Sequence, residues 1–362
     1  MLRFVYRLIN TQNFALARSF VAVAVAFVAG CGSQEPNYVN HQGSTMGTYW
    51  RLSHDLTCNI DDVSIQRELD GLNHIFSTYD PESELSLINA APAGEWVPTS
   101  DHLHTVMVQA QQTWQATGGA FDITIGPLVN LWGFGAEENL SEIPSKESQV
   151  LAANQVGMQY VQLGQHQLKK NLANLYLDLS ALAKGYAVDV VAEKVSQSGC
   201  NNFMVDIGGE IRVHGVNRKA VSWRLGIESP ALDSRGVQQV VGLSGQSIAT
   251  SGDYRNFKWV NGRRVDHILD PRIGKPTKNS VASVTVIHPQ AMVADAYATA
   301  LMVLGYEAGL ALAHEQSLAV YFIVHSGAEE TENLGGPVDI NSANALLWQT
   351  HYNEAMQNYF VD

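Results

Sequence analysis

The sequence predicts a fold that mixes strands with helices, and three observations carry this. Some stretches alternate with a period of two, as half-buried strands do: Tyr176, Asp178 and Ser180 point one way, Leu175, Leu177 and Leu179 the other. Others repeat apolar residues at spacings of three and four, as in Val188, Val191, Ala192 and Val195. Residues 291–304 are apolar all round except for Asp295 and Thr299, which is how a buried helix reads. With 362 residues, 46% hydrophobic and 16% charged, the chain can build a sizeable core. Its length suits one large domain or two ordinary ones.

The first thirty residues differ from the rest. Arg3, Arg7 and Arg18 precede the apolar run from Phe20 to Ala29, closed by Gly30 and Cys31. That run is about half of the ~20 residues a membrane span needs, so 1–30 reads as a signal peptide. Val28-Ala29-Gly30-Cys31 resembles a bacterial lipobox, which would make Cys31 the acylated first residue of the mature chain; the alternative is an ordinary cleaved signal. Residues 31–42 then form a polar tether and 43–362 the working domain. Removing 1–30 takes away three Arg and no acids, leaving 19 basic against 35 acidic residues, a formal charge of −16. So acidic a chain is poorly suited to nucleic acid or to anionic lipid, and any membrane attachment should come from the lipid on Cys31. Cys58 and Cys200 remain; in an oxidising compartment they could pair, but two cysteines make no disulfide framework. No CxxC and no Cys/His zinc spacing is evident.

Further elements follow in order. Ser44 to Trp50 runs into a strand. Asp61 or Asp62 caps a helix whose apolar face is Val63, Ile65, Leu69, Leu72, Ile75 and Phe76. Asp80-Pro81 turns the chain and starts the next short helix, over 83–89. Ser100 caps a helix with Leu103, Val106, Met107, Ala110 and Trp114 on one face, ended by Gly118-Gly119. Residues 119–135 are dense in glycine and aromatics, so they either hold something flat or form a buried loop. The acidic, serine-rich 136–149 reads as a surface excursion. Strands are predicted at 202–207, 211–214, 223–228 and 237–243, after which Ser247–Ser251 leads to Gly252-Asp253-Tyr254. A hairpin at 258–265 turns on Asn261-Gly262. A strand at 280–288, helices from 292 and 306, and a strand at 318–325 close the pattern.

Three places look chemical. Residues 176–187 join a predicted strand to a helix predicted to begin at Ala181. The unpaired N–H groups of that helix start suit an anion. Lys184 adds a cation one turn in, and Gly185 permits close approach; the alternative makes Ser180 an N-cap and Lys184 a solvated residue. Asp295 and Thr299, four apart on one helix face, are either a hard-oxygen pair suited to Mg²⁺ or a buried hydrogen bond. His267, expected on a strand before Asp270-Pro271, is either a structural histidine or a general base.

These residues add up to a family pattern. Thr45-Met46-Gly47-Thr48, Ser77-Thr78-Tyr79-Asp80, the 119–135 block, Asp178-Leu179-Ser180-Ala181-Leu182-Ala183-Lys184-Gly185, Asp206-Ile207-Gly208-Gly209, Thr250-Ser251-Gly252-Asp253-Tyr254, His267-Ile268-Leu269-Asp270-Pro271 and Asp295-Ala296-Tyr297-Ala298-Thr299 occur in that order. Together they closely resemble the ApbE family of FAD:protein FMN transferases, over about residues 43–326. The resemblance implies an α+β fold of the tunnelling-fold kind, with mixed sheets, flanking helices and FAD in a central cleft. It implies a Mg²⁺-dependent enzyme that attaches the FMN half of FAD to a threonine of a partner protein and releases AMP. The partners implied are flavin-carrying subunits of sodium-pumping NADH:quinone oxidoreductases or Rnf-type complexes. By the same resemblance, Met46, Tyr79, Ala120, Phe121, Asp122, Asp178, Lys184 and Leu269 contact FAD. The Ala181 carbonyl, Asp295 and Thr299 hold the metal, and His267 assists the attacking hydroxyl. A periplasmic lipoprotein is expected, on the inner membrane rather than the outer. The rival readings are a pyrophosphatase splitting FAD with water and a non-catalytic flavin-binding lipoprotein.

Overall fold

Among the described residues, eight strands form one antiparallel sheet, in the order Tyr38–Thr45, Thr48–Asp55, Phe203–Ile207, Glu210–His214, Ser247–Gly252, Val281–His288, Ala319–His325 and Trp348–Tyr352. The computed structural model describes residues 37–135, 140–230, 236–253, 257–325 and 348–361. The predicted signal peptide, Cys31, the first part of the predicted tether and Tyr254 lie outside them.

Alternation along Ala319–His325 shows how both sheet faces are covered. Val320, Phe322 and Val324 pack into a core with the helix Ala291–Leu304. Ala319, Tyr321 and Ile323 pack into another with Trp223, Leu225 and Val241 of the hairpin Trp223–Glu228 and Val237–Leu243. The helix Ala183–Gln197 lies against Ala291–Leu304 and against the strands Phe203–Ile207 and Glu210–His214. Beyond it, Ile65, Leu69 and Leu72 of the helix Asp62–Phe76 meet Leu103, Val106 and Met107 of the helix Asp101–Ala116. Each such buried side chain contributes roughly 1.5–3 kcal/mol. Antiparallel sheets with helices gathered on them make an α+β fold.

The capping predictions hold at Asp61 and Ser100, whose side chains accept from Ser64 N and Leu103 N. Asn261 and Gly262, with φ of 51° and 74°, turn the hairpin Phe257–Val260 and Arg263–Asp266.

Several expectations are corrected. Tyr38 to Gln42, read as tether, belong to the edge strand paired with Thr48–Asp55. Val63 is exposed, off the buried face of its helix. Pro81 starts no helix; Ser83 caps one that begins at Glu84. Residues 146–149, the end of the expected surface excursion, do lie at the surface, and they open the helix Lys146–Ala153 with Ser145 as its cap. Residues 175–180 keep the predicted alternation, with Leu175, Leu177 and Leu179 buried, but make only an isolated parallel bridge between Tyr176 and Ile125. The pattern was right about burial and silent about a ladder partner. The following helix starts at Ala183 rather than Ala181, and Ser180 does not cap it. His267 stands at a bend after the hairpin, not within a strand. The pairing that the sequence left open is made: Cys58 and Cys200 form a disulfide.

Candidate active site

The turn Asp206–Glu210 places a residue that sequence reasoning left without a role. Gly208 and Gly209 have φ of 63° and 106°, Asp206 accepts from Gly209 N, and the next strand therefore opens with Glu210 pointing inward. Its carboxylate meets Lys184: Nζ lies 3.3 Å from Glu210 Oε1 and 3.7 Å from Asp295 Oδ2. Asp295 is 3% exposed and Glu210 5%.

Asp295 is held there by its helix and its neighbour's. Gly185 N donates to Asp295 Oδ2 at 3.0 Å. The anion at this helix start is therefore an internal carboxylate, and the Lys184 cation is held in ion pairs. The helix Ala291–Leu304 carries no side-chain cap of its own; Asp189, on the crossing helix, accepts from Ala291 N and Met292 N, both at 2.9 Å. Arg212 Nη1 in turn holds Asp189 at 2.8 Å. One turn beyond Asp295, Thr299 shares a hydrogen bond of 3.1 Å with Ser251 Oγ of the strand Ser247–Gly252.

Two acids surround one lysine in a low-dielectric place, and the charges do not balance. Burial pushes the Glu210 carboxyl up to about 8 despite the pull of Lys184. Burial raises Asp295 as well, again against Lys184. Burial works against the Lys184 ammonium, but Asp295 and then Glu210 outweigh it and hold its pKa above the ordinary lysine value. The cluster has room for one more positive charge. Glu210 Oε2 is buried without a hydrogen-bond partner, the orphaned oxygen such a cation would satisfy. A hard-oxygen set of this kind fits Mg²⁺.

Four of the other predicted residues, Ala120, Phe121, Asp122 and Asp178, lie on or beside the segment 119–125. Ala120 packs with Ile268 and Tyr297, while Phe121 and Ile123 enter the neighbouring core, so both Ala120 and Phe121 are buried. Asp178 N donates to the Ile123 carbonyl at 2.7 Å, and the Asp178 carboxylate accepts from Ser180 N. Asp122 is committed inside the protein: Thr124 N, Thr124 Oγ1 and Met158 N all donate to it, and burial raises its pKa despite them. Its side chain braces this segment. Tyr79 is 72% exposed, and both it and Asp178 act electrostatically on Tyr176. Gly126 is required here, because a Cβ would lie 2.2 Å from the Tyr176 ring.

His267 is half-buried with its ring 6.2 Å from Phe134, edge to face; Leu269 is buried in the core beneath, and Phe134 packs on that core. Met46 has φ of 47° in the two-residue turn between Thr45 and Thr48, an unfavourable place for a side chain that is not Gly or Asn. Strain of that kind collects at functional sites. Ala181 is partly buried just ahead of the helix start.

Comparison with known proteins now decides the family. The ApbE family model matches residues 46–322. The chain belongs to the ApbE family. The FAD:protein FMN transferase of Vibrio cholerae is 41% identical over 310 residues, 84% of this chain and 92% of that protein. The FAD:protein FMN transferase of Escherichia coli K12 is 36% identical over 334 residues, 87% of this chain and 94% of that one. The solved flavin transferase ApbE from Vibrio cholerae superposes with a TM-score of 0.79 at 35% identity, covering 90% of this chain and all of that one. The α+β expectation is thereby met by an ApbE fold.

Proposed function

We infer that this ApbE-family chain transfers the FMN half of FAD to a target protein, with a threonine hydroxyl as acceptor and AMP as the leaving product. The observation that carries the reading is the buried Lys184–Glu210–Asp295 cluster beside Thr299, joined to the FAD:protein FMN transferases that match most of the chain. In the reaction, the threonine oxygen forms a bond to the FMN phosphorus. The bridging P–O bond of the pyrophosphate breaks, and AMP departs with that oxygen. The hydroxyl proton goes to a base, for which His267 is our candidate.

Phosphoryl transfer asks the protein mainly for positioning and for neutralised charge. Lys184 is fixed by two carboxylates, so it cannot swing to a wandering phosphate; it offers a fixed positive charge in a water-poor place. The Ala181 carbonyl, Asp295 and Thr299 would hold Mg²⁺, with Glu210 as a neighbouring oxygen donor. The ion would supply charge neutralisation at the pyrophosphate. Met46, Tyr79, Asp178, Leu269 and the 120–122 segment would border the flavin and adenine, with Asp122 acting through the backbone it braces.

We further propose a periplasmic protein anchored through lipid on Cys31, inner membrane rather than outer. Its targets would be flavin-carrying subunits of sodium-pumping NADH:quinone oxidoreductases or Rnf-type complexes. The first test mixes the purified chain with FAD, Mg²⁺ and a threonine-bearing fragment of such a subunit. A fluorescent target whose mass rises by FMN supports the reading. Free FMN without labelled target would make the chain a pyrophosphatase, and unchanged FAD a binding protein. For the anchor, Cys31→Ser should release a soluble form that still transfers flavin. A wild-type chain that lacks acyl groups by mass spectrometry would overturn it.

A further inference from the structure

A second cluster of ligand-type side chains lies where the sheet brings distant positions together. His54 sits near the end of the strand Thr48–Asp55 and Cys58 follows in the next loop. Cys200 precedes the strand Phe203–Ile207, whose Phe203 pairs with His54. One ligand atom from each of His54, Cys58 and Cys200 lies within 4.8 Å of the others. His54 Nδ1 is 3.5 Å from Cys58 Sγ. Tetrahedral zinc with Zn–S of ~2.3 Å and Zn–N of ~2.0 Å holds its sulfur and nitrogen ligands roughly 3.5 Å apart. His54 and Cys200 are buried and Cys58 is partly exposed, so the site is walled on one side and open on the other.

In the structure both sulfurs are spent in the Cys58–Cys200 disulfide. We propose that reduction of this disulfide opens a zinc site made of His54 Nδ1, Cys58 Sγ and Cys200 Sγ, with water in the fourth position. A dithiol reductant would give two electrons and two protons, becoming a disulfide itself and leaving both cysteines as thiols. Zn²⁺ binding then releases the two thiol protons, and neutral His54 supplies the third bond. The ion keeps the two sulfurs tied to one centre, so the chain stays stapled between positions 58 and 200 in either redox state.

The surroundings suit this assignment. In the disulfide form His54 Nδ1–H donates to the Asp55 carbonyl oxygen at 2.7 Å; a Zn–N bond of ~2.0 Å has no room along that direction, so zinc takes the place of the proton only as the ring turns off the carbonyl. The Nδ1 proton goes to water, His54 takes a proton at Nε2 from His41 Nε2, 3.2 Å away, and His41 takes one from water on its Nδ1, so that its Nε2 becomes the acceptor. The two imidazole planes are parallel within 2°, with centroids 5.3 Å apart, so the rings meet nearly edge to edge. A metal-bound histidine whose other nitrogen donates to a fixed neighbour is the usual supporting arrangement. The sequence hid the site because Cys200 is 142 residues from Cys58.

The test uses the full chain, reduced with a phosphine under anaerobic conditions and freed of reductant. Co²⁺ serves as the probe, since cobalt bound by thiolate gives an intense charge-transfer absorption that the chain's other histidines cannot produce. Reduced wild type should show that band at one equivalent and lose it when one equivalent of Zn²⁺ is added; the oxidised chain should show none. Cys58→Ser, at the partly exposed position, and His54→Ala should abolish stoichiometric binding. His41→Ala should leave the ligands in place yet weaken zinc by roughly 10- to 100-fold. A reduced wild type with no thiolate–cobalt band, or a Cys58→Ser variant that binds as wild type, would overturn the proposal. Flavin transfer is not the readout, so the result is independent of the proposed activity.

Discussion

Gly185 donates its backbone N–H to Asp295 Oδ2 at 3.0 Å, tying the first turn of one helix to the middle of another. This contact needs glycine. A Cβ at position 185 would lie 2.5 Å from the Ala291 carbonyl oxygen and 2.8 Å from Asp295 Cβ. Neither atom can yield easily, because Asp189 pins the start of that helix. Gly185→Ala should therefore push the helices apart, costing about 1–3 kcal/mol as overpacking does. Thermal melting checks this. A variant that melts with wild type would mean the crossing has slack.

Asp295→Asn keeps the shape of the side chain and removes its charge. Lys184 then has only Glu210 as a charged partner, and the candidate metal ligand is weakened. Transfer should fall by orders of magnitude, and chelator should reproduce the loss in wild type. Thermal stability should change far less than activity. Full transfer in the variant, or in wild type under excess chelator, would remove Asp295 from the proposed role.

Much of this site was legible in the chain. A single acid in the apolar helix 291–304 had to have a partner, and Lys184 and Gly185 stood in a stretch where a strand was predicted to feed a helix start. What stayed hidden depends on tertiary neighbours. Glu210 shows only as an acid after Gly-Gly; that it turns inward onto Lys184 follows from strand pairing, which no local pattern encodes. The cap on the helix Ala291–Leu304 comes from Asp189, about a hundred residues earlier, so its own flanks carry no capping signal. The strand at Tyr38–Thr45 was missed for a similar reason. As an edge strand its outer residues are polar, and it reads as tether until the Met46-Gly47 turn is seen to pair it.

The Asp253 carboxyl gives a pH signature. Burial lifts it from an ordinary 3.8 to about 6; Arg264, 3.3 Å away, pulls it down and Asp266 pushes it up. The folded state therefore holds this proton more tightly than the unfolded chain. The stabilising contribution is full below the unfolded pKa near 3.8 and is lost as pH rises towards about 6. Asp253→Asn cannot titrate, so its melting temperature should be flatter than wild type across that window. Matching slopes in melts taken from pH 3.5 to 7 would show that Asp253 ionises normally in the fold.

His267 is where binding and chemistry can be separated. It stands at a bend after the hairpin Phe257–Val260 and Arg263–Asp266, half-buried and edge-on to Phe134. If its imidazole takes the proton from the incoming threonine, it matters more in the transition state than in the ground state. His267→Ala should then keep FAD affinity within a few-fold and slow transfer by roughly 10²–10⁴, the usual worth of a general base. A residual rate should persist, since Lys184 still offers its charge to the phosphates. The wild-type rate should fall as acid protonates the imidazole and removes its lone pair, and the variant should lose that limb of the profile. A histidine that merely packs on Phe134 predicts otherwise: weaker FAD binding, a lower melting temperature and an unchanged pH profile. FAD titration, melting and transfer at saturating FAD, each across pH, distinguish the two. Should rate, affinity and stability fall together with the pH limb intact, the base is another group and His267 serves the fold.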